Sequence, residues 1–458
     1  MVGAEDMAAI LTRPEPRLPQ EVYQYRRMRL SSEAPDSSLF LIPSAKVMVR
    51  NGSVHHPFRQ ESNFYYLTGW EEPESFLALT IHKQKARLAL FVRPRDQDRE
   101  LWEGRRYGVE GALQAFSADE VYPIEGLSHQ LPSLMAQAGQ IYYGLGQDSS
   151  NDQLVVEAMK SAKRLGGRKS STLPSLSDPE ALLGKLRLFK GPEEVALMRA
   201  AAHATAMGHR AAMAYAKAGM FEREIEGLLD FEFRRHGCGR LGYESIVAGG
   251  SGATCLHYRS NDRRLVDGEL LLIDAGGEYG YYTADVTRTF PIGRQFSKPQ
   301  SQWYKLVLSA QESAISMVKP GVTLQQIHRE VIRILVEGLL SMGLLDRSSV
   351  SSVEKAIQIG AYKRLYPHQT SHWLGLDVHD AGSYSLQSGV ERPLEPGMVF
   401  TIEPGLYGQL EDQLLPLEFR GMGIRIEDDV LVTETGCEVL TSEAPKSVEE
   451  ITELRNKA

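Results

Sequence analysis

Between Leu271 and Phe290 the chain reads LLIDAGGEYGYYTADVTRTF, and two carboxylates interrupt its apolar pattern. The run Leu270-Leu271-Leu272-Ile273 ends on Asp274, a Gly-rich turn follows, and Ala284 to Phe290 alternates like a strand with one buried face. This pattern predicts a hairpin. With Tyr279-Gly280 as its two-residue turn, Asp274 and Asp285 fall directly opposite each other, on one face, with Cβ atoms about 5 Å apart. Like charges placed this way are destabilising unless one carboxyl is protonated or cations lie between them. A pair of divalent ions about 3.5–4 Å apart, bridged by carboxylates, fits that gap. A longer turn gives another picture, in which the two Asp point apart at a solvated hairpin end.

Three more stretches carry groups suited to chemistry. His368, His372 and His379 bring three of the chain's twelve histidines into twelve residues, and imidazole is both a common metal ligand and the usual acid–base group near neutral pH. The His368/His372 spacing suits one helical face, but Pro367 and Gly375 argue against a continuous helix. In Val399-Phe400-Thr401-Ile402-Glu403 a carboxylate again ends an apolar run. In Gly423 to Asp429, period-two alternation puts Ile424 and Ile426 on one face and Arg425 and Glu427 on the other. Taken alone, that Arg–Glu pair suits a solvated face as well as a site.

Charge counting joins these stretches. Asp274, Asp285, Glu403 and Glu427 bring four negative charges, and a neutral His372 completes five side-chain ligands. Four charges balance two divalent cations with room for a bridging hydroxide. That is a dinuclear hydrolase site, in which the metals lower the pKa of water and polarise the attacked carbonyl. Hard oxygen ligands with one imidazole and no thiolate suit manganese, and cobalt or zinc also bind such a set.

The elements that must position these groups read as α/β (α+β). From Glu21 to about Tyr143, the runs Ser38–Pro43, Phe76–Ile81 and Ala86–Val92 predict strands, as does the aromatic-rich Phe64 to Trp70. Asp119–Gly126 reads as helical or mixed, as does Leu131–Ala138, and Gly144-Leu145-Gly146 is a turn rather than a dinucleotide loop. Gly166 to Thr172, with Pro174 and Pro179, reads as a linker, dividing an N-terminal mixed α/β domain (1–183) from a C-terminal domain (184–458). Pro192-Glu193-Glu194 opens a helix whose buried face carries Val195, Met198, Ala202, Ala206 and Met213, and a second helix runs from about Phe221 to Arg235. A strand at Tyr243–Val247 and a Gly-rich turn lead to His257. Beyond the hairpin come helices Gln302–Val318 and Gln325–Met342, then strands Met398–Ile402, Gly423–Glu427 and Val430–Thr433.

With 458 residues, 42% hydrophobic and 24% charged, the chain has the composition of an ordinary soluble globular protein of two or three domains. A net charge of −8 gives no footprint for nucleic acid or an anionic membrane. Three scattered cysteines make neither a disulfide framework nor a thiolate metal site. The first residues lack the basic and apolar regions of a secretory signal, and no apolar stretch approaches the roughly 20 residues that span a bilayer. The expectation is a cytoplasmic protein.

The ordered set DAG…TADVTRTF, HWLGLDVHD, TIEPG and RIEDD closely resembles the proline-specific, aminopeptidase P branch of the pita-bread metallopeptidase family. The likeness extends to Asn63–Gly69 and Leu101–Arg106, which are similar to that branch's non-catalytic domain, so it covers nearly the whole chain. One departure is Gln369 after His368, where such enzymes often have Gly; it removes no ligand. The resemblance implies a C-terminal pita-bread catalytic domain in which Asp274, Asp285, His372, Glu403 and Glu427 bind two metals, normally manganese. Glu403 would also handle the proton of the bridging water, His379 would stabilise the tetrahedral intermediate, and His257 and His368 would contact substrate or shuttle protons. Arg425 would hydrogen-bond Asp274 with Tyr407 nearby, and Trp102 would approach the site across a subunit contact of a dimer or tetramer.

The expected reaction is removal of the N-terminal residue from peptides with proline in the second position. A prolidase would use the same site on Xaa-Pro dipeptides and would need a cation to grip the free carboxylate. A metal-free binding protein of the same fold would lack ligands, whereas all five are present.

Overall fold

The apolar runs of the first half form one six-stranded mixed sheet. A computed structural model describes residues 17–166, 174–345, 350, 352–386 and 389–457, and the chain divides into compact units of 17–186 and 187–458. The expected linker residues 167–172 lie outside the described residues. In the first unit the strand order is Glu120–Pro123, Lys85–Val92, Phe76–His82, Ser38–Pro43, Gln140–Tyr142, Ser175–Ser177, with Phe76–His82 antiparallel to both its neighbours. Leu39, Leu41, Phe76 and Phe91 meet Leu131 and Met135 of the helix Leu127–Gln137 in its core.

One expected strand is a helix. Ser62–Thr68 is helical, with the Glu61 carboxylate accepting from the N–H groups of Asn63 and Phe64, and Gly69 closing the helix in the left-handed region at φ 70°. Phe64, Tyr65, Tyr66 and Leu67 are all buried, so apolar residues on every side reflect a helix enclosed all round rather than strand alternation.

Among its described residues the second unit holds four short antiparallel sheets, with helices Pro192–Tyr215, Glu222–Arg235, Lys298–Ser316 and Leu324–Ser341 packed around them. The first helix starts at Pro192, where the Glu194 carboxylate accepts from the Gly191 N–H, and its predicted apolar face is buried. The other two long helices start at capping boxes on Ser297 and Thr323. Among the described residues no helix is long and apolar enough to cross a membrane.

The central hairpin is split between two sheets. Leu270–Asp274 lies between Ile246–Gly249 and Thr287–Pro291, while Gly277–Tyr279 pairs with Tyr282–Thr283 and Arg240–Leu241. The tight turn is Gly280-Tyr281, one residue later than expected, with φ of 55° and 73°. A left-handed tyrosine is held there because its ring is buried beneath the Arg240 guanidinium, 4.9 Å from the ring centroid. Asp274 therefore faces Thr287 in the ladder rather than Asp285.

Thr287–Pro291 is buried on both faces, not on one. Arg288, wholly buried, spends its donors on the carbonyls of Thr287, Glu427, Ala444 and Pro445 and on Asp428 Oδ1 at 2.7 Å. Asp428 also accepts from Thr441, Gln311 and Lys446, and this cationic, hydrogen-bonded setting outweighs burial and holds its carboxyl down at about 2. Removing Arg288 takes a donor from four carbonyls and leaves buried Asp428 with Lys446 as its remaining cation, and breaking a buried pair of this kind costs about 3–5 kcal/mol. Arg288→Met is expected to lower the thermal unfolding midpoint by roughly 10 °C; a midpoint within two degrees or so of the wild type would contradict this assignment.

Candidate metal centre

Asp274 closes its strand, and Asp285 stands two residues before the strand that pairs with it. Being two positions out of register leaves both carboxylates on the same side of the hairpin. Gly276 lets the connection close tightly, since a Cβ there would overlap the carbonyl of Ala284. Both carboxylates then meet one hydroxyl, Tyr243 Oη, at 2.6 Å from Asp274 Oδ1 and 2.5 Å from Asp285 Oδ1. A phenol has a single hydrogen to donate. The second short contact therefore requires a proton on one carboxyl, or a cation drawing the two carboxylates together.

Glu427 follows the strand Met422–Arg425, and Thr287 donates to its Oε2 at 2.7 Å. Thr287 accepts from Arg425 Nε at 3.0 Å, while Arg425 Nη2 donates to Asp274 Oδ2 at 2.6 Å and Nη1 to Tyr407 Oη at 3.0 Å. The predicted Arg425–Asp274 bond is present. Arg425 and Glu427 are buried, so this alternation does not lie on a solvated face.

His368 and His372 lie on a non-helical segment that runs antiparallel to the strand Val399–Ile402, as the Trp373–Phe400 bridge shows. His372 Nδ1 lies 3.1 Å from the Trp373 carbonyl, so the proton belongs on Nδ1 and Nε2 turns to the carboxylates. His372 Nε2 is 3.4 Å from Asp285 Oδ2 and 3.8 Å from Glu403 Oε1. Ligand atoms of Asp285, His372 and Glu427 all fall within 4.8 Å of one another. With Asp274 and Glu403 these groups line one cavity of about 820 Å³.

The electrostatics state what this arrangement lacks. Burial, then the neighbouring carboxylates, push Glu427 well above the carboxylate range, and burial likewise raises Asp274 against the pull of Arg425. Glu403 is pushed up to about 7, chiefly by burial. Asp285 is also penalised by burial, but hydrogen bonds from His372 and Tyr243 and the charge of His372 bring it below its ordinary value. His372 is raised to about 9, because Asp285 and Glu403 outweigh its burial. The cluster is short of positive charge, and protons take the places that divalent cations would fill. An oxygen-rich donor set with one correctly turned imidazole fits such cations.

Around the cluster, the ring of His379 stands edge-on to His372 with centroids 4.4 Å apart. Tyr407 donates to His368 Nε2 at 2.9 Å, and His368 Nδ1 faces the Gln369 carbonyl at 2.7 Å, so both His368 nitrogens are engaged within the protein. His257 is exposed on the cavity lining. Trp102 belongs to the first unit, on the helix Gln97–Glu103, and is 86% exposed. Sequence reasoning missed Tyr243 and Thr287, whose hydroxyls stand in ordinary strand-like surroundings with no spacing to mark them. It also missed His328, a single histidine on an amphipathic helix.

Residues 196–434 match the sequence model of metallopeptidase family M24, and residues 23–142 match that of the aminopeptidase P N-terminal domain. The chain is 42% identical over 441 residues to Xaa-Pro aminopeptidase of Haemophilus influenzae, covering 96% of this chain and 98% of that one. It is 39% identical over 440 residues to Xaa-Pro aminopeptidase of Escherichia coli, covering 95% and 97%. Among solved structures, the Pseudomonas aeruginosa aminopeptidase PepP superposes with a TM-score of 0.92 at 40% identity, covering 96% of this chain and 99% of that chain. Zinc-substituted Escherichia coli aminopeptidase P in complex with product does so with a TM-score of 0.91 at 38% identity, with the same coverage. The chain belongs to metallopeptidase family M24, in the group whose pita-bread domain follows an aminopeptidase P N-terminal domain.

Proposed function

We propose that this chain is a metal-dependent Xaa-Pro aminopeptidase, removing the first residue from peptides whose second residue is proline. The observation that carries the reading is the buried cluster of four carboxylates and one imidazole opening on a peptide-sized cavity. It is supported by relatives that are Xaa-Pro aminopeptidases along nearly their whole length. Asp274, Asp285, His372, Glu403 and Glu427 would hold two divalent ions, with manganese favoured by the hard donor set. When bound, such ions supply Lewis acidity and make water a nucleophile near neutral pH.

The protein's own groups do the rest. Glu403, which lines the cavity 3.8 Å from His372 Nε2, accepts the proton of the attacking water and delivers it to the proline nitrogen, which has no N–H and must gain a proton to leave. His379, exposed beside His372, donates to the carbonyl oxygen as negative charge gathers on it. His257, on the exposed part of the lining, meets the incoming peptide, and His368 completes the wall next to Glu403, with Nδ1 3.8 Å from Glu403 Oε2. Arg425 and Tyr407 keep Asp274 aimed. Arg425 is occupied in this way, and the one other Arg or Lys among the described lining residues, Arg259, is paired with Glu244 at 3.2 Å. The relatives, being Xaa-Pro aminopeptidases, do not favour a dipeptidase. The exposed Leu101-Trp102 pair suits a subunit contact in a dimer or tetramer, and the expected location is the cytoplasm.

Stripped enzyme with added manganese is expected to release the first residue from an Xaa-Pro-Xaa tripeptide and to cut the Xaa-Pro dipeptide poorly. Cleavage of the dipeptide alone would make it a prolidase, and metal-independent inertness toward both would overturn the reading. At saturating metal, Glu403→Ala is expected to lose several orders of magnitude in kcat, whereas Arg425→Ala, which removes the hydrogen bonds to Asp274, Thr287 and Tyr407 but no proposed ligand, should lose about 10–100-fold. Full activity in Glu403→Ala would remove it from the proton path.

A further inference from the structure

The helix Leu324–Ser341 turns Leu324, Gln325 and His328 into the cavity that holds the carboxylate cluster. Gln325 and His328 are three residues apart and so share one face of the helix's first two turns. Neither takes part in the chemistry described above.

Hydroxyl bookkeeping fixes which nitrogen of His328 carries its proton. His328 Nδ1 is 2.8 Å from Thr370 Oγ1, which is 2.7 Å from Tyr366 Oη, and Thr370 and Tyr366 are each 1% exposed. If Thr370 donated to Tyr366, the buried Tyr366 hydrogen would have no acceptor among the described residues, an outcome that folded proteins avoid. Tyr366 therefore donates to Thr370, and Thr370 donates to His328 Nδ1. The ring's hydrogen is then on Nε2, for which no described residue supplies a partner, on a side chain that lines the cavity. Burial, reinforced by the adjacent Arg329, lowers the imidazole to about 4, so it stands neutral as an N–H donor.

The position of this donor limits what it can bind. Ring centroids step 6.0 Å from His328 to Tyr366 and 4.9 Å from Tyr366 to His368, whose Nδ1 is 3.8 Å from Glu403. An extended peptide advances about 3.3–3.6 Å per residue, so His328 lies within a few residues of the reacting bond. On the N-terminal side of that bond a substrate offers an ammonium group, itself a donor, and the carbonyl under attack. Acceptors that remain for a second donor are all on the C-terminal side: the proline carbonyl and those following it.

Building on the Xaa-Pro reading, we propose that His328 is a substrate-binding residue, its Nε2–H taking a peptide carbonyl oxygen on the C-terminal side of the cleaved bond, with Gln325 beside it on the same wall. The helix thereby reads peptide backbone beyond the proline ring and favours substrates longer than a single imide.

The test compares wild type, His328→Leu and His328→Gln, all loaded with manganese, on an Xaa-Pro-Xaa tripeptide and on the matching aminoacyl-pyrrolidide. The pyrrolidide keeps the scissile bond and the five-membered ring but has no acceptor beyond them. Loss of one neutral hydrogen bond should raise KM for the tripeptide about tenfold in His328→Leu with little change in kcat, and leave the pyrrolidide unaffected. His328→Gln, which keeps an N–H donor, should recover part of the loss. If the pyrrolidide binds without turnover, its inhibition constant against the tripeptide is compared in place of KM. Equal losses on both compounds would make His328 merely structural, and no loss on either would remove it from the site; both results overturn the proposal. A wild type that cleaves no tripeptide would instead overturn the aminopeptidase reading, so the two failures appear in different proteins.

Discussion

The catalytic unit is governed by the repulsion among Asp274, Asp285, Glu403 and Glu427, gathered in a cavity wall with one buried arginine among them. Two unit charges 4 Å apart interact by about 4 kcal/mol at an effective dielectric of 20. Several such terms of one sign exceed what a marginally stable domain tolerates. Asp274, Glu403 and Glu427 all rise above their ordinary carboxylate values, chiefly through burial, while Asp285 stays low by drawing on His372 and Tyr243. The fold thus holds a deficit of positive charge that invites cations, and the same deficit at a reacting carbonyl is what a metallohydrolase needs filled.

Charges placed behind the site keep the cluster together. Arg288 binds the carbonyls of Thr287 and Glu427 and is neutralised by Asp428, so the strand Thr287–Pro291 and the segment carrying Glu427 are clamped to each other. The segment that carries His372 and His379 is pinned in the same manner. Asp380 is buried and accepts from Arg187 at 2.5 Å and from Lys190 at 3.0 Å. Buried pairs of this kind are poor sources of net stability but costly to break, which makes them suitable for fixing a geometry.

Much of this was legible in the sequence because carboxylates ending apolar runs are conspicuous. Ile273-Asp274 and Ile402-Glu403 stand out in this way, whereas the Arg425–Glu427 alternation suited a solvated face equally and joined them only through charge counting and the family resemblance. The hairpin register was not legible. It depends on a buried Tyr281 held in a left-handed conformation under Arg240, a tertiary contact that local turn preferences do not contain. Phe64 to Thr68 was misread for a related reason: aromatic residues favour strands only where a pleated surface receives them, and here a capped helix is enclosed on all sides. Tyr243, Thr287 and His328 carry no pattern of their own and acquire meaning only from the oxygens and cavity that the fold brings to them.

The central claim is that protons and divalent cations compete for one buried charge deficit. It is tested most directly by titrating manganese into metal-stripped protein in a calorimeter, in buffers of different ionisation enthalpy. With Glu403 raised to about 7 and His372 to about 9 before loading, cations must displace protons. The account predicts two equivalents per chain, net proton release near pH 7, and binding that weakens as pH falls. Binding of two ions with no proton released, or no binding at the cluster at all, would contradict it.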